Sequence, residues 1–511
     1  MNQVKALTDV KLANYTITTM AEVFVDEYES DAVRRKFTNG LMESYAMKEF
    51  MRNANVMQER FDKHNVMDLD QVPDGERERI ANWRASGRYT ITTVTRTGYT
   101  SRWKVKPEQT VEFWLSRVGL RELDGLGIDE FGSEISSEAP FFAPAVREIN
   151  KKCPDKMLVA FTCAAWYSHT QTNELRAALA EGHHPYAPEQ YMREQPNEGI
   201  AKNYINDFFD YARLWEKAFP GAIKNTLWCY GSCDNYHASY CLDTFASCDQ
   251  KYFLDMQFAV LANDPAFFGQ RGVIPWIIRY TSPDSLLWQA KMIRHYLIEG
   301  KRTMLSKDYG FQFDAGHLVD GDCAEGLVHW NAQPAEQGSI ITREIKDYGF
   351  SRGTRNTSPA GDRVIEFRRV PGKVNSVTQT MRNLKPGKYY EVTVLCADGE
   401  DVDNDGSGLK VMNLRMTVKG VEIVDGKSVI HVYPGVPNNT RGRKNGIVGN
   451  HHRVVFKAKS PTAELVISDE APVIPARTYH GQPFAPADPA QKRVIFNFVQ
   501  VTELLNETVE K

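Results

Sequence analysis

Up to about residue 310 the chain alternates short apolar or β-branched runs with longer segments of helical spacing. Residues 17–25 (ITTMAEVFV) predict a strand, and the charged segment 30–65 predicts a helix. Residues 88–95 (RYTITTVT) predict a second strand, and Pro107 opens a helix that runs to Val118. Further strands are expected at 123–128, 157–162 (MLVAFT), 226–230 and 273–278. Helices are expected at 145–152, 199–219, 250–263 and 285–299. Six or seven short apolar strands separated by helices imply parallel strands buried on both faces, in an open doubly wound sheet or a closed barrel. No glycine-rich phosphate loop follows any strand, which weakens the nucleotide-binding open sheet.

After about Asp308 the helical period disappears. Short alternating runs at 364–367, 373–381, 389–396, 411–418, 428–432, 452–458, 463–468 and 493–504 take over, separated by turn signals such as Lys385-Pro386-Gly387. The expected architecture is therefore a (β/α)8-type TIM barrel over 1–310, a connecting segment over 311–345, and a jelly-roll-like β-sandwich over 346–511. Between 398 and 408, Asp401, Asp403 and Asp405 have the spacing of a calcium loop, but Met412 stands where the distal glutamate belongs. A solvated acidic loop is the preferred reading, and no cofactor is expected.

Composition narrows the function classes. At 511 residues the chain is too long for one core. A formal charge of −3 gives no field for a polyanion, so nucleic-acid binding is not expected. No apolar run spans a bilayer, and residues 1–14 show no secretory leader. Cys229, Cys233, Cys241 and Cys248 are close in sequence, but their spacing matches no zinc pattern, so buried or free thiols are preferred to a disulfide or metal site. Oligomeric state is not legible. With 9 Trp, 22 Tyr and 25 Phe, aromatic rings are available to pack on the C–H faces of sugars, although filling a large core explains most of them.

Chemistry gathers at the expected strand ends, which a barrel collects around one mouth. Asp129 and Glu130 tip the strand at 123–128, where two adjacent carboxylates are costly unless something uses them. Cleavage of a glycosidic bond takes two carboxyl groups flanking one oxygen. Glu130 is the first choice for the proton donor, Asp234 and Glu22 are nearly level as its partner, and Asp129 is a brace or second acid. Trp166, Tyr167 and His169, Trp228 and Tyr230, Asn235, and Trp276, Arg279 and Tyr280 are candidates for holding substrate. Arg279 suits an acidic sugar.

The run GIDEFG over 127–132, Trp228, Asp255-Met256-Gln257, the stretch LANDPAFFG over 261–269, and Arg294-His295-Tyr296 with Glu299-Gly300 together resemble a group of glycoside-hydrolase-like barrel proteins of polysaccharide-degrading bacteria. Residues 326–330 and 493–501 (RVIFNFVQV) are similar to the first and last strands of the carbohydrate-binding-like sandwiches attached to such barrels. The resemblance implies a carbohydrate substrate and a secreted or periplasmic location. One departure is informative: chitinase-type barrels place glutamate two positions after the last aspartate, and here Glu130 follows Asp129 directly. Substrate-assisted N-acetyl chemistry is therefore not expected, and the choice between retaining and inverting action stays open. The expected function is glycoside hydrolysis, with a non-catalytic glycan-binding protein and a metal-dependent barrel hydrolase as alternatives.

Overall fold

The computed structural model describes residues 18–24, 44–60, 74–95, 109–118, 123–131, 139–162, 170–234, 242–276, 278, 281–349, 361–406, 411–412, 414–433, 449–470, 478–479, 482–483 and 492–511. Eight strand–helix units open the chain. They are β1 (Thr18–Phe24) with α1 (Tyr45–Arg52), β2 (Val56–Arg60) with α2 (Asp74–Ala85), β3 (Tyr89–Thr95) with α3 (Thr110–Val118), and β4 (Gly125–Phe131) with α4 (Ala139–Lys152). Then come β5 (Met157–Thr162) with α5 (Thr170–Glu181), β6 (Tyr186–Gln190) with α6 (Glu198–Ala218), β7 (Leu227–Gly231) with α7 (Gln250–Asn263), and β8 (Gly272–Trp276) with α8 (Pro283–Met292). Each strand pairs in parallel with the next, and β8 returns to β1 through Thr18–Gly272 and Thr19–Val273, which closes the barrel. The helical ring closes as well, where Asn53 at the end of α1 donates to the Ala290 carbonyl of α8 at 3.1 Å.

Two strands escape the sequence pattern. Within the stretch 30–65 expected as one helix, the described residues form α1 and then β2. Asn53 ends α1, accepting no further turn, and its backbone N–H bonds Phe50 and Met51 carbonyls. The strand β6 reads YAPEQ, with a proline and no β-branched residue, and so carries no strand signal of its own. Helix starts obey local chemistry better. Asn197 caps α6 through Ile200 N–H, Asp249 caps α7 through Lys251 and Tyr252 N–H, and Ser282 precedes Pro283 at the first turn of α8.

The remainder is antiparallel. Its strands are β9 (Asn331–Gln333), β10 (Ile340–Glu344), β11 (Arg363–Arg368), β12 (Ser376–Met381), β13 (Tyr389–Asp398), β14 (Arg415–Lys419), β15 (Val421–Ile423), β16 (Val429–Tyr433), β17 (Gly449–Ala458) and β18 (Ala463–Ser468). The short hairpin β19 (Thr478–Tyr479) and β20 (Gln482–Pro483) precedes the last strand, β21 (Arg493–Glu503). One sheet has the order β10-β11-β21-β13-β17-β15, with β16 also on β17, and the other has the order β14-β18-β12-β9. Both contribute to one apolar cluster, Ile365, Phe367, Val392, Phe456 and Phe496 from the larger sheet and Val377, Met381, Leu465 and Ile467 from the smaller. The acidic stretch expected as a loop forms a short helix, Gly399–Asn404, capped by Asp398. Asp403 there is drawn to Arg343 and Arg493 rather than toward Asp401 and Asp405.

The two parts meet along β21 and the C-terminal helix α11, given α9 (Ser306–Tyr309) and α10 (Gly399–Asn404) before it; α11 covers Asn506–Glu510. Pairing of β21 with β13 slips between Thr393 and Leu395, and Phe498 at the slip has φ of +52°. This bulge releases Val499 to donate to the Gly321 carbonyl at 2.7 Å, and Gln500 donates to Asp243 at 3.1 Å. Lys251 of α7 is buried against Asp284 of α8 at 2.9 Å, and the other Asp284 oxygen accepts Leu505 N–H and the Thr508 hydroxyl. The carboxylate and nearby Asp249 hold the Lys251 ammonium charged despite its burial. Breaking such a pair from one side strands a buried charge, at a cost of about 3–5 kcal/mol. Lys251→Met is expected to lower stability by that amount in urea titrations.

Candidate active site at the barrel mouth

A strand residue's face is set by its parity, and parallel pairing carries that parity from strand to strand. Val56, Ile91, Val159, Phe161, Ala187, Leu227, Cys229 and Ile274 pack together inside the barrel. Their sequence neighbours face the helices: Leu126, Ile128, Leu158, Ala160 and Tyr186 pack on α3 to α5, and Trp228, Tyr230 and Val273 pack with α6 to α8.

This alternation sorts the residues expected at the mouth. Asp129 stands in register with Thr95, four pairs beyond Gly125 and Ile91, and so on the inner face near the C-terminal end of β4. Gly125, also on that face, is required there, because a Cβ would come 2.0 Å from the Met157 carbonyl oxygen. Glu22 is in register with Gln58, two residues beyond the Met20–Val56 pair, and so holds an inner-face position of β1. Glu130 lies where pairing to β5 shifts between Ile128 and Phe131. The side chains of Glu22 and Glu130 lie outside the described part of the structure, as do residues Trp166, Tyr167, His169, Asn235, Arg279 and Tyr280.

Three expected residues stand elsewhere than at an open mouth. Trp228 and Tyr230 have outer parity on β7. The Trp228 ring lies 4.5 Å from that of Phe209 in α6, and the Tyr230 hydroxyl donates to Gln289 of α8 at 3.0 Å. Neither ring reaches sugar from the barrel interior. Asp234, three residues past β7, is buried and accepts Ser282 N–H on both oxygens at 3.2 Å, bracing the start of α8. Ser232 makes the same connection, meeting the Thr281 hydroxyl at 3.1 Å.

Trp276 does face inward. It ends β8 in register with Gly231, and its half-buried ring stacks on Tyr191 at 4.2 Å and 18°. Leu242 from the loop after β7 seats beside Tyr191, where any Cβ on Gly231 would strike it. A further inner-face carboxylate is Glu189, half-buried near the end of β6 and in register with Cys229. It goes unseen in the sequence because its strand does. The one available signal is the long gap between β5 and β7, which holds two helical patterns and so requires a strand between them.

Beyond β6, Glu194 is completely buried and accepts Thr244 N–H at 2.8 Å and Phe245 N–H at 3.1 Å. Burial, and then the charge of Asp243, push its carboxyl well above the usual range. Cys229, Cys233 and Cys248 are buried thiols outside any disulfide. Cys241 lies outside the described residues. Among the described residues no group of three or more His, Cys, Asp or Glu side chains is arranged to hold a metal ion, and no helix is long and apolar enough to cross a membrane.

A raised carboxyl favours the folded state below its unfolded value and loses that contribution as pH rises through its folded one. Stability is therefore expected to fall between about pH 4.5 and the higher Glu194 value. Glu194→Gln, which keeps the backbone bonds without a titrating proton, is expected to flatten that fall when urea midpoints are compared from pH 5 to 8.

No family model matches the chain, and no curated protein matches it. Among solved structures, a chitinase from Chromobacterium violaceum is 10% identical, covers 54% of this chain and 98% of its own, and has a TM-score of 0.35. A chitinase from Rhizomucor miehei is 12% identical, with 54% and 100% covered and a TM-score of 0.34. An endo-beta-N-acetylglucosaminidase from Cordyceps militaris is 9% identical, with 57% and 94% covered and a TM-score of 0.36. Likenesses this distant carry no weight for the chemistry, which rests on the residues at the mouth.

Proposed function

We propose that the chain is a glycoside hydrolase whose acid/base pair is drawn from the inner-face carboxylates of the barrel mouth. The observation that carries the reading is the placement of Asp129 and Glu189 on the inner face near the ends of β4 and β6, with the Tyr191–Trp276 stack ending the neighbouring strands. Strands two apart stand about 10 Å from each other, and carboxyl groups reaching inward from them approach the roughly 5–10 Å that either stereochemical course of glycosidic cleavage uses. The stacked rings offer a flat apolar wall to a sugar face, beside two groups able to move a proton and to stabilise the oxocarbenium-like centre. Glu130 belongs in the same set, because a shift in pairing beside it is the kind of irregularity that re-aims a side chain near active sites.

Carbohydrate is the substrate class, and no metal takes part in this reading. Nothing favours the glycan-binding alternative over catalysis except the absence of a second acid, and Glu189 supplies a candidate for one. A panel of polysaccharides with released sugars as readout tests it. Asp129→Asn and Glu189→Gln are each expected to lower turnover by about 10²–10⁴-fold with the fold intact by circular dichroism. Full activity in both variants sinks the assignment, and loss in Glu130→Gln alone transfers the acid role to Glu130. Glycan binding by the unaltered protein with no product from any substrate supports the non-catalytic alternative.

A further inference from the structure

At the opposite end of the barrel from the mouth, a cavity of about 520 Å³ lies among the N-terminal ends of the strands. Its charged lining comes from the turns that feed β4 to β8, with Asp155, Lys156, His183, Lys224 and Arg271 around it and Asn225 beside them. Arg271 is half-buried just before β8. Its Nη1 donates to the His183 carbonyl and to Asn225 Oδ1, the latter at 3.0 Å. Among the described residues no carboxylate pairs with it. Asp124, the nearest alternative in the lining, is held bidentately by Arg84 at 3.0 and 2.9 Å and also accepts Thr90 N–H. Among the described residues, the Nε and Nη2 edges of Arg271 therefore meet no acceptor.

The surroundings add to that imbalance. Lys224 is exposed and Lys156 spends one proton on the Leu123 carbonyl at 2.6 Å. Among the described residues, Arg271 and Lys224 thus face the carboxylate of Asp155 once Asp124 is matched by Arg84. His184 contributes no charge: burial pushes it down to about 4, with Nδ1 accepting Leu158 N–H and Nε2 against Asn150. His183 sits at φ +55°, a left-handed conformation unfavourable for a residue with a Cβ and held partly by Arg271 on its carbonyl. A planar guanidinium with two unused donor nitrogens, flanked by the Lys224 ammonium, matches the geometry of an oxyanion. The volume lies within the range of small-molecule sites and exceeds what a bare ion fills.

We propose that this lower cavity binds a small molecule through an oxyanion, a phosphate or carboxylate group seated on the outer edge of Arg271 with Lys224 alongside. The site is separate from the mouth and does not depend on the reading of the chemistry there. Calorimetric titration of the full chain with inorganic phosphate and with glucuronate separates the two anion sources. Saturable binding of at least one, near one per chain, is expected. Arg271→Gln is expected to weaken it at least tenfold, and Lys224→Glu, which alters an exposed side chain, several-fold. Absence of saturable binding by both anions overturns the proposal, as does wild-type affinity in Arg271→Gln. Should Arg271→Gln fail to fold, the Lys224→Glu result decides, and unchanged affinity there overturns it equally.

Discussion

Everything at the mouth depends on one constraint: in a closed ring of parallel strands, inner and outer parity must pass unbroken through eight pairings. A slip of one residue in any strand would turn its apolar inner set toward the helices. The interior cluster of Val56, Ile91, Val159, Cys229 and Ile274 fixes that parity by burial, and the helix-facing set of Ile128, Ala160 and Trp228 fixes it again from outside. Polar residues near the C-terminal strand ends inherit their direction from this packing. Asp129 and Glu189 face inward because Ile91 and Cys229 do, not because of any local preference of their own.

This explains what was legible in the sequence. Strands rich in branched or bulky apolar residues, such as 157–162 and 226–230, declare themselves because both faces are buried. The same property hides parity: in LWCYG every position is buried, so nothing in the string says that Trp228 and Tyr230 look outward while Cys229 looks in. The aromatic bias read as a sugar cleft is, at those two positions, the seal between wall and helices. Asp234 misleads in a related way, since a carboxylate bracing a helix start and one serving substrate have the same sequence context. The β6 strand, with Pro188 inside and an acid near its tip, becomes recognisable only through its pairing with β5 and β7.

The seam between barrel and antiparallel sheets is built from polar groups that are nearly all matched. Gln500 reaches across to Asp243 and to the Cys248 carbonyl, Asp284 receives the chain after β21, and Lys291 meets Glu507 at 2.9 Å. Glu194 lies under the same loop that carries Asp243, so the barrel side of the seam and the cover of the mouth share one buried acid. The second part of the chain thus bears directly on the loop after β7, whatever further role its surface has.

The bulge at Phe498 gives this seam an unusual reach. It frees the Val499 N–H for Gly321, while Gln500, still in register with Thr393 of β13, reaches Asp243 of the barrel with its side chain, so that one central strand serves two bodies at once. Severing the chain near residue 310 would therefore leave neither piece whole, since the barrel would lose the partner of its mouth loop and the sheets would keep a strand shaped for an absent surface. Residues near 500 thus complete a part of the structure formed by the first 310.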